Sequence, residues 1–186
     1  MIALLLSTAL AAEAQRWTVI GVGKGDTLNL RADARVGAKV LGRLAEGATV
    51  EEVDANEEGW FKVRSGTTVG WVNGRYLTPM LPPSGNLPTS LSCAGTEPFW
   101  SVAIADGKGT YSSPESPTGT AVNVTEQRST HDAAFLVTAS GGGWSWLTVE
   151  LDADTCSDGM SSRRYPYRAL GLLGDQGFVA GCCRMR

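Results

Sequence analysis

Leu28-Asn29-Leu30-Arg31, Val40-Leu41-Gly42-Arg43-Leu44, Gly47-Ala48-Thr49-Val50, Gly59-Trp60-Phe61-Lys62-Val63, Gly70-Trp71-Val72 and Tyr76-Leu77 follow one another and decide the fold of the first half. Short segments of alternating apolar residues are separated by glycines and acidic turns, the pattern of a small antiparallel barrel. The segments Thr49–Val53 and Trp60–Arg64 flank the polar turn Asp54–Glu58 and read as a hairpin. A second hairpin runs through Ser65-Gly66-Thr67-Thr68 into Val69–Val72. Val36, Val40, Leu41 and Leu44 have helical spacing, but Gly37, Gly42 and Gly47 interrupt them. Each interior glycine costs a helix about 1 kcal/mol relative to alanine, so a strand is expected over Lys39–Arg43. Upstream, Arg16–Val22 reads as the first strand. Gly21, Gly23 and Gly25 make a turn rather than a phosphate loop, since neither the later glycine of a dinucleotide fingerprint nor a helix follows.

These landmarks in this order (L-N-x-R, G-W-x-x-V, G-W-V and Y-L) resemble a bacterial SH3 domain over residues 17–78. The resemblance implies a binding module of the cell envelope, whose partner is a wall peptide, peptidoglycan or an envelope protein. Trp60 and Trp71 lie in barrel-building strands, where packing is the default role. Tyr76 and the loop Ala32–Ala38 are placed to face a ligand. Arg31 is expected to tie down a loop through carbonyls or a carboxylate. The acidic run Glu51–Glu58 reads as a solvated hairpin that protects a strand edge, with a docking surface for a basic partner as its rival.

The chain opens apolar from Met1 to Ala12 and then offers Ala12-Glu13-Ala14, so residues 1–14 read as a secretory signal, although no Lys or Arg precedes the run. About a dozen apolar residues are too few for a bilayer core, which needs ~20, so no membrane span is expected after signal removal. No cysteine follows the run to take a lipid. The expected location is periplasmic or secreted. Net charge is −3; without Glu13, which leaves with the signal, it is −2, the first half carrying 9 basic and 8 acidic residues and the second 7 and 10. Neither has the basic surplus that nucleic acid demands.

Residues 79–91 hold Pro79, Pro82, Pro83, Gly85 and Pro88 without apolar alternation and read as a linker between a domain at 15–78 and one at 92–186. The second domain also reads as all-β. Segments at Phe99–Ala105, Thr110–Ser112, Ala121–Thr125, Ala133–Thr138, Trp144–Leu151, Tyr165–Leu173 and Phe178–Cys182 alternate between turns, giving about seven strands of an antiparallel barrel or sandwich. All four cysteines, Cys93, Cys156, Cys182 and Cys183, lie here, and an even count in an exported chain favours disulfides. Neighbouring Cβ atoms on a strand point to opposite faces, which argues against a Cys182–Cys183 bridge. Cys93 and Cys156 are expected to take one member of the pair each, in either combination. A bridge from Cys93 closes a loop of roughly 90 residues and contributes up to ~4.5 kcal/mol in the chain-entropy account. No metal site is expected: there is no C-x-x-C, and His131 is remote from the cysteines in sequence.

Cys93-Ala94-Gly95-Thr96-Glu97-Pro98-Phe99-Trp100, Cys156-Ser157-Asp158-Gly159-Met160-Ser161, Tyr165-Pro166 and Gly181-Cys182-Cys183 together resemble an uncharacterised family of bacterial envelope proteins. Ser162 stands where that family often has an acidic residue. From the residues themselves, Glu97, Asp158, Arg163 and Tyr165 are the set to watch, with Trp100 beside them. A structural ion pair holding loop to strand is the favoured role, and a ligand groove the other. Paired carboxylates at Glu97 and Asp158 are the arrangement that glycoside hydrolysis requires. His131-Asp132 is the other acid–base pair, and Trp144-Ser145-Trp146 lacks the flanking glycine that a nucleophile elbow requires on its far side. No cofactor motif occurs. The sequence therefore reads as a non-catalytic, exported envelope-binding protein, with an inhibitor of a wall-degrading enzyme, similar in type to lysozyme inhibitors, as the alternative and a hydrolase behind it.

Overall fold

The computed structural model describes residues 14–81, 88, 90–128, 134–140, 144–173 and 176–185. Residues 1–13 of the apolar start, the prolines Pro82 and Pro83, and the His131-Asp132 pair lie outside them.

Seven antiparallel strands form the first sheet: β1 (Arg16–Val19), β2 (Leu28–Arg31), β3 (Val40–Leu44), β4 (Thr49–Ala55), β5 (Trp60–Ser65), β6 (Thr68–Asn73) and β7 (Leu77–Met80). Their order is β3-β2-β6-β5-β4-β1-β7. Alternation does the sorting: Trp17 and Val19, Leu28 and Leu30, and Phe61 and Val63 all turn into one core with Val50, Val72 and Leu77. At its centre Trp17 and Phe61 meet edge to face, ring centroids 4.8 Å apart, a preferred arrangement for aromatic pairs. Pro79 lies within β7, opposite Trp17. It is tolerated because β7 is an edge strand that needs no second ladder. The segment read as a linker from residue 79 thus gives Pro79–Met80 to the first sheet and Ser90–Leu91 to the second.

The second half is a closed barrel of eight strands, where about seven were expected: β8 (Ser90–Thr96), β9 (Phe99–Ala105), β10 (Lys108–Ser113), β11 (Ser116–Arg128), β12 (Ala134–Ser140), β13 (Trp144–Cys156), β14 (Tyr165–Leu173) and β15 (Gly177–Met185). Each strand pairs with the next and β15 returns to β8. The strand that escaped the reading is β8. Its inward positions are Leu91, Cys93 and Gly95, and cysteine and glycine give little apolar signal. The turn after it, Thr96 to Phe99, has a cis Glu97–Pro98 bond, the geometry of a type VI turn.

The barrel closes where β15 meets β8, and both disulfides sit there. Cys183 lies directly opposite Cys93 and bonds to it inside the barrel. Cys182, facing outward, bonds to Cys156. The expectation of one bridge from Cys93 and one from Cys156 is met, and the alternation of faces is the reason. The interior is filled by Leu91, Trp100, Val102, Phe135, Leu147, Val149 and Tyr167, among others. Leu81, just beyond β7, packs against that core.

Trp100 is only 3% exposed. Its indole crosses two glycines: a Cβ on Gly95 would lie 2.1 Å from Nε1, and one on Gly181 would lie 2.7 Å from Cζ2. This accounts for the glycines in both C-x-G-x-E-P-F-W and G-C-C. Gly95→Ala is therefore expected to destabilise the barrel by about 1–3 kcal/mol or more, as overpacking of a filled core does. Denaturant unfolding with an unchanged m-value and a lowered midpoint checks it.

Candidate functional site

On the first sheet a groove of about 260 Å³ opens between the loop after β1, the loop after β2, and the 3-10 turn Gly74–Tyr76. Tyr76, Arg75, Trp60, Val36, Asp26 and Arg31 line it. Asn73 starts the turn by accepting the Arg75 N–H at 3.1 Å. The Arg75 guanidinium stacks on the Tyr76 ring, 4.5 Å from its centroid, and donates to the phenol oxygen. Val36, 73% exposed, stands on the loop expected to face a ligand. Arg31 donates to the Ala38 carbonyl at 3.0 Å and so holds that loop, its expected task. Trp60 combines both readings, since it is nearly buried yet contributes to the groove wall. Trp71 does not line this groove and instead lies under the Lys62 ammonium, 6.0 Å away.

A second concavity runs over the outside of the barrel. One part, about 510 Å³, is lined by Glu97, Thr155, Asp158, Arg168, Leu170 and Ala180. The other, about 390 Å³, is lined by Phe99, Ser101, Ser112 and Pro114. Ala94, Gly95 and Thr96 belong to both. Glu97 and Asp158, distant in sequence, are thus brought to one groove. Trp100 turns its side chain inward, in step with Val102 and Ile104. The aromatic side chain offered outward is its neighbour Phe99, 56% exposed. The parity of β9 carries that assignment in the sequence.

Asp158 organises its own turn. Its carboxylate accepts from the backbone N–H groups of Met160 and Ser161 at 3.0 Å each, from the Ser161 hydroxyl, and from the Tyr165 hydroxyl at 2.9 Å. Burial alone raises its pKa, but these donors together outweigh burial and hold it below its ordinary 3.8. Burial and the bond to Asp158 push the Tyr165 phenol up to about 12. Arg163 lies over the Tyr165 ring, 5.6 Å away. Asp158, Ser161, Arg163 and Tyr165 form a loop-holding cluster in which the Asp158 carboxylate is engaged mainly by donors of its own turn.

The same loop grips the first sheet. Ser162 donates its N–H to the Glu57 carbonyl at 2.9 Å, and Arg163 stands 3.8 Å from the Glu57 carboxylate. Arg164 donates to the carbonyls of Gly74 and Asp154 at 3.0 and 2.9 Å and to the Thr155 hydroxyl. Glu52 faces the same seam. Burial raises its pKa above 4.5, while the Trp17 indole N–H at 2.8 Å and the charges of Arg163 and Arg184 act against the rise. Part of the acidic run read as solvated is therefore a docking surface after all, and its basic partner belongs to the same chain. Although residues 79–91 read as a linker, the surfaces of the two halves meet here. Sequence reading missed Arg164 and Thr155. Thr155, next to the bridged Cys156, has φ of 65°, a left-handed backbone that is rare for a β-branched residue. Gly59 has φ of 78°, and a Cβ there would lie 2.7 Å from the Ser162 carbonyl.

The sign of the acid response follows from Asp158. Its lowered pKa contributes stability above its ordinary 3.8, which is lost as pH falls through the lower folded value. Asp158→Asn is expected to melt below the parent at neutral pH, and the gap is expected to close as the pH drops below 3.8. Thermal melts of both proteins across that range check it.

No curated protein matches this chain. The family comparison does find a match, and it falls on the sheet that carries the Tyr76 groove. Residues 26–78 match the family model described as bacterial SH3 domain, so this part of the chain is a bacterial SH3 domain.

Proposed function

We propose that the protein is a non-catalytic, exported binding protein of the cell envelope whose SH3 domain engages a cell-wall peptide through the Tyr76 groove. The observation that carries this reading is the stacked Arg75–Tyr76 pair at the groove mouth, with Asp26 and the exposed Val36 across from it. A short peptide offers what such a groove takes: a carboxylate for Arg75, an amine for Asp26 and an aliphatic side chain for Val36 and the Tyr76 ring. Export is supported by the full pairing of the four cysteines, which persists in oxidising compartments, and by the apolar start with its A-x-A pattern. A structural role for Asp158 is supported by its carboxylate being engaged by the donors of its own turn, which leaves it poorly placed to act with Glu97 as an acid–base pair.

Purified peptidoglycan should retain the mature protein at low salt. Tyr76→Ala is expected to weaken retention about tenfold, the loss of one aromatic anchor, with the variant still folding cooperatively at a modestly lowered melting temperature, because the side chain is half-buried against the core. Failure of the parent protein to bind sinks the proposal, as does full retention of the variant.

A further inference from the structure

The outer face of the barrel holds a site that the SH3 reading leaves unused. We infer that the concavity running past Glu97 and Phe99 is a binding groove for a neutral oligosaccharide. The inference is independent of the peptide groove and stands on four features of shape and chemistry.

Depth comes first. Outward positions of adjacent strands ordinarily carry side chains that fill such a space, but the floor here is Ala94, Ala180 and the backbone of Gly95 and Gly181. Loop residues Thr155 to Asp158 wall one side, fixed by the Cys156–Cys182 bridge and by the bond from the Thr96 hydroxyl to the Asp158 carbonyl at 3.4 Å. The trough is built in and needs no rearrangement to admit a chain.

Next is the ring. Phe99 stands largely exposed at the other wall beside Pro114. The axial C–H face of a pyranose is flat and apolar and stacks on such a ring, while its equatorial hydroxyls point to the sides. The side groups offered are hydroxyls: Ser101 and Ser112, 3.0 Å apart, and Thr96. The serine pair retains one hydrogen to donate, and all three oxygens accept, which matches the mixed donors and acceptors of a sugar.

Charge then selects among ligands. Arg168 is held by Asp152 at 2.9 Å, and Asp158 is engaged by its turn. Among the described lining residues, Glu97 is the ionised group without a hydrogen bond or ion pair. A lone carboxylate repels phosphate-rich or other anionic polymers and accepts hydrogen bonds from hydroxyl or amide groups.

Finally, the closed barrel argues against a peptide. Strands β14, β15, β8, β9 and β10 each have both ladders occupied by neighbours. An extended peptide finds no sheet edge to join, so its main-chain groups have no partners here. Stacking and side-chain hydrogen bonds remain, and they suit a sugar.

Titration calorimetry of the mature full-length protein with chitohexaose, a neutral β-linked sugar chain, tests this. Saturable binding is expected at millimolar sugar. Phe99→Ala is expected to weaken it about tenfold, and Glu97→Gln to weaken it less. Ala94→Trp fills the shared floor and is expected to abolish binding; an unchanged melting temperature in either Phe99→Ala or Ala94→Trp ensures that lost binding is not lost folding. Tyr76→Ala is expected to leave sugar binding intact, which separates this site from the peptide groove. No saturation by the parent protein overturns the inference. So does binding that survives both Phe99→Ala and Ala94→Trp, or that disappears with Tyr76→Ala, or that is outcompeted by inorganic polyphosphate or by a free wall peptide.

Discussion

Two adjacent cysteines on one strand must face opposite sides of a sheet, and the architecture of the second half hangs on that constraint. Cys183 points into the barrel and joins Cys93 across the seam where the last strand meets the first. That bridge encloses nearly the whole barrel sequence, so it restricts the unfolded chain more than a short loop closure does. Cys182 points out and takes Cys156, which pulls the end of β13 across the outer face. The backbone turns that way at Thr155, in a conformation costing on the order of 1–3 kcal/mol. A bridge to Cys182 on one side and the Arg164 guanidinium on the Thr155 hydroxyl on the other hold it there.

From that anchored point the chain reaches the SH3 domain within a few residues. Arg163–Glu57 is a partly exposed pair and contributes little by itself. Arg164 is different in kind, because one planar guanidinium addresses two carbonyls and a hydroxyl, one of the carbonyls from the other sheet. The carbonyl it takes on the SH3 side belongs to Gly74, the residue before Arg75 and Tyr76. The barrel thus holds the Tyr76 groove by the back of the turn that forms its mouth. Gly59 allows the close approach, since it already occupies a left-handed backbone and has no Cβ to meet the Ser162 carbonyl.

Much of this was legible in the residues. Alternation and turn residues mark thirteen of the fifteen strands, all but β7 and β8, and parity alone sent Cys182 and Cys183 to different partners. Parity also puts Trp100 inside with Val102 and leaves Phe99 outside, although the motif draws the eye to the tryptophan. What stayed hidden has a common cause. The strand Ser90–Thr96 buries Leu91, Cys93 and Gly95, and small residues produce no hydrophobic rhythm. The seam joins Glu57 and Gly74 to Ser162 and Arg164, residues remote in sequence whose charges and amides look solvated until the fold brings them together. Glu97 and Asp158 were rightly grouped, yet sequence could not reveal that four donors converge on one of them and none on the other.

The loop from Thr155 to Arg164 belongs to both halves. Its first residues wall the barrel groove, and its last hold the SH3 domain. A shared element of this sort couples two sites only if it has two arrangements that the ligands distinguish. Here the Cys156 bridge fixes one end, Asp158 spends its carboxylate on the turn's own donors, and Arg164 fixes the other end. Such a loop transmits position rather than movement. Were the proposed peptide and sugar sites both engaged, two weak contacts held at a constant offset would reinforce each other through effective concentration, the second being made from a tether instead of from solution. For a partner that presents peptide and sugar on one scaffold, affinity depends on the match between that offset and the scaffold's own spacing, so rigidity at the seam acts as a specificity determinant in its own right.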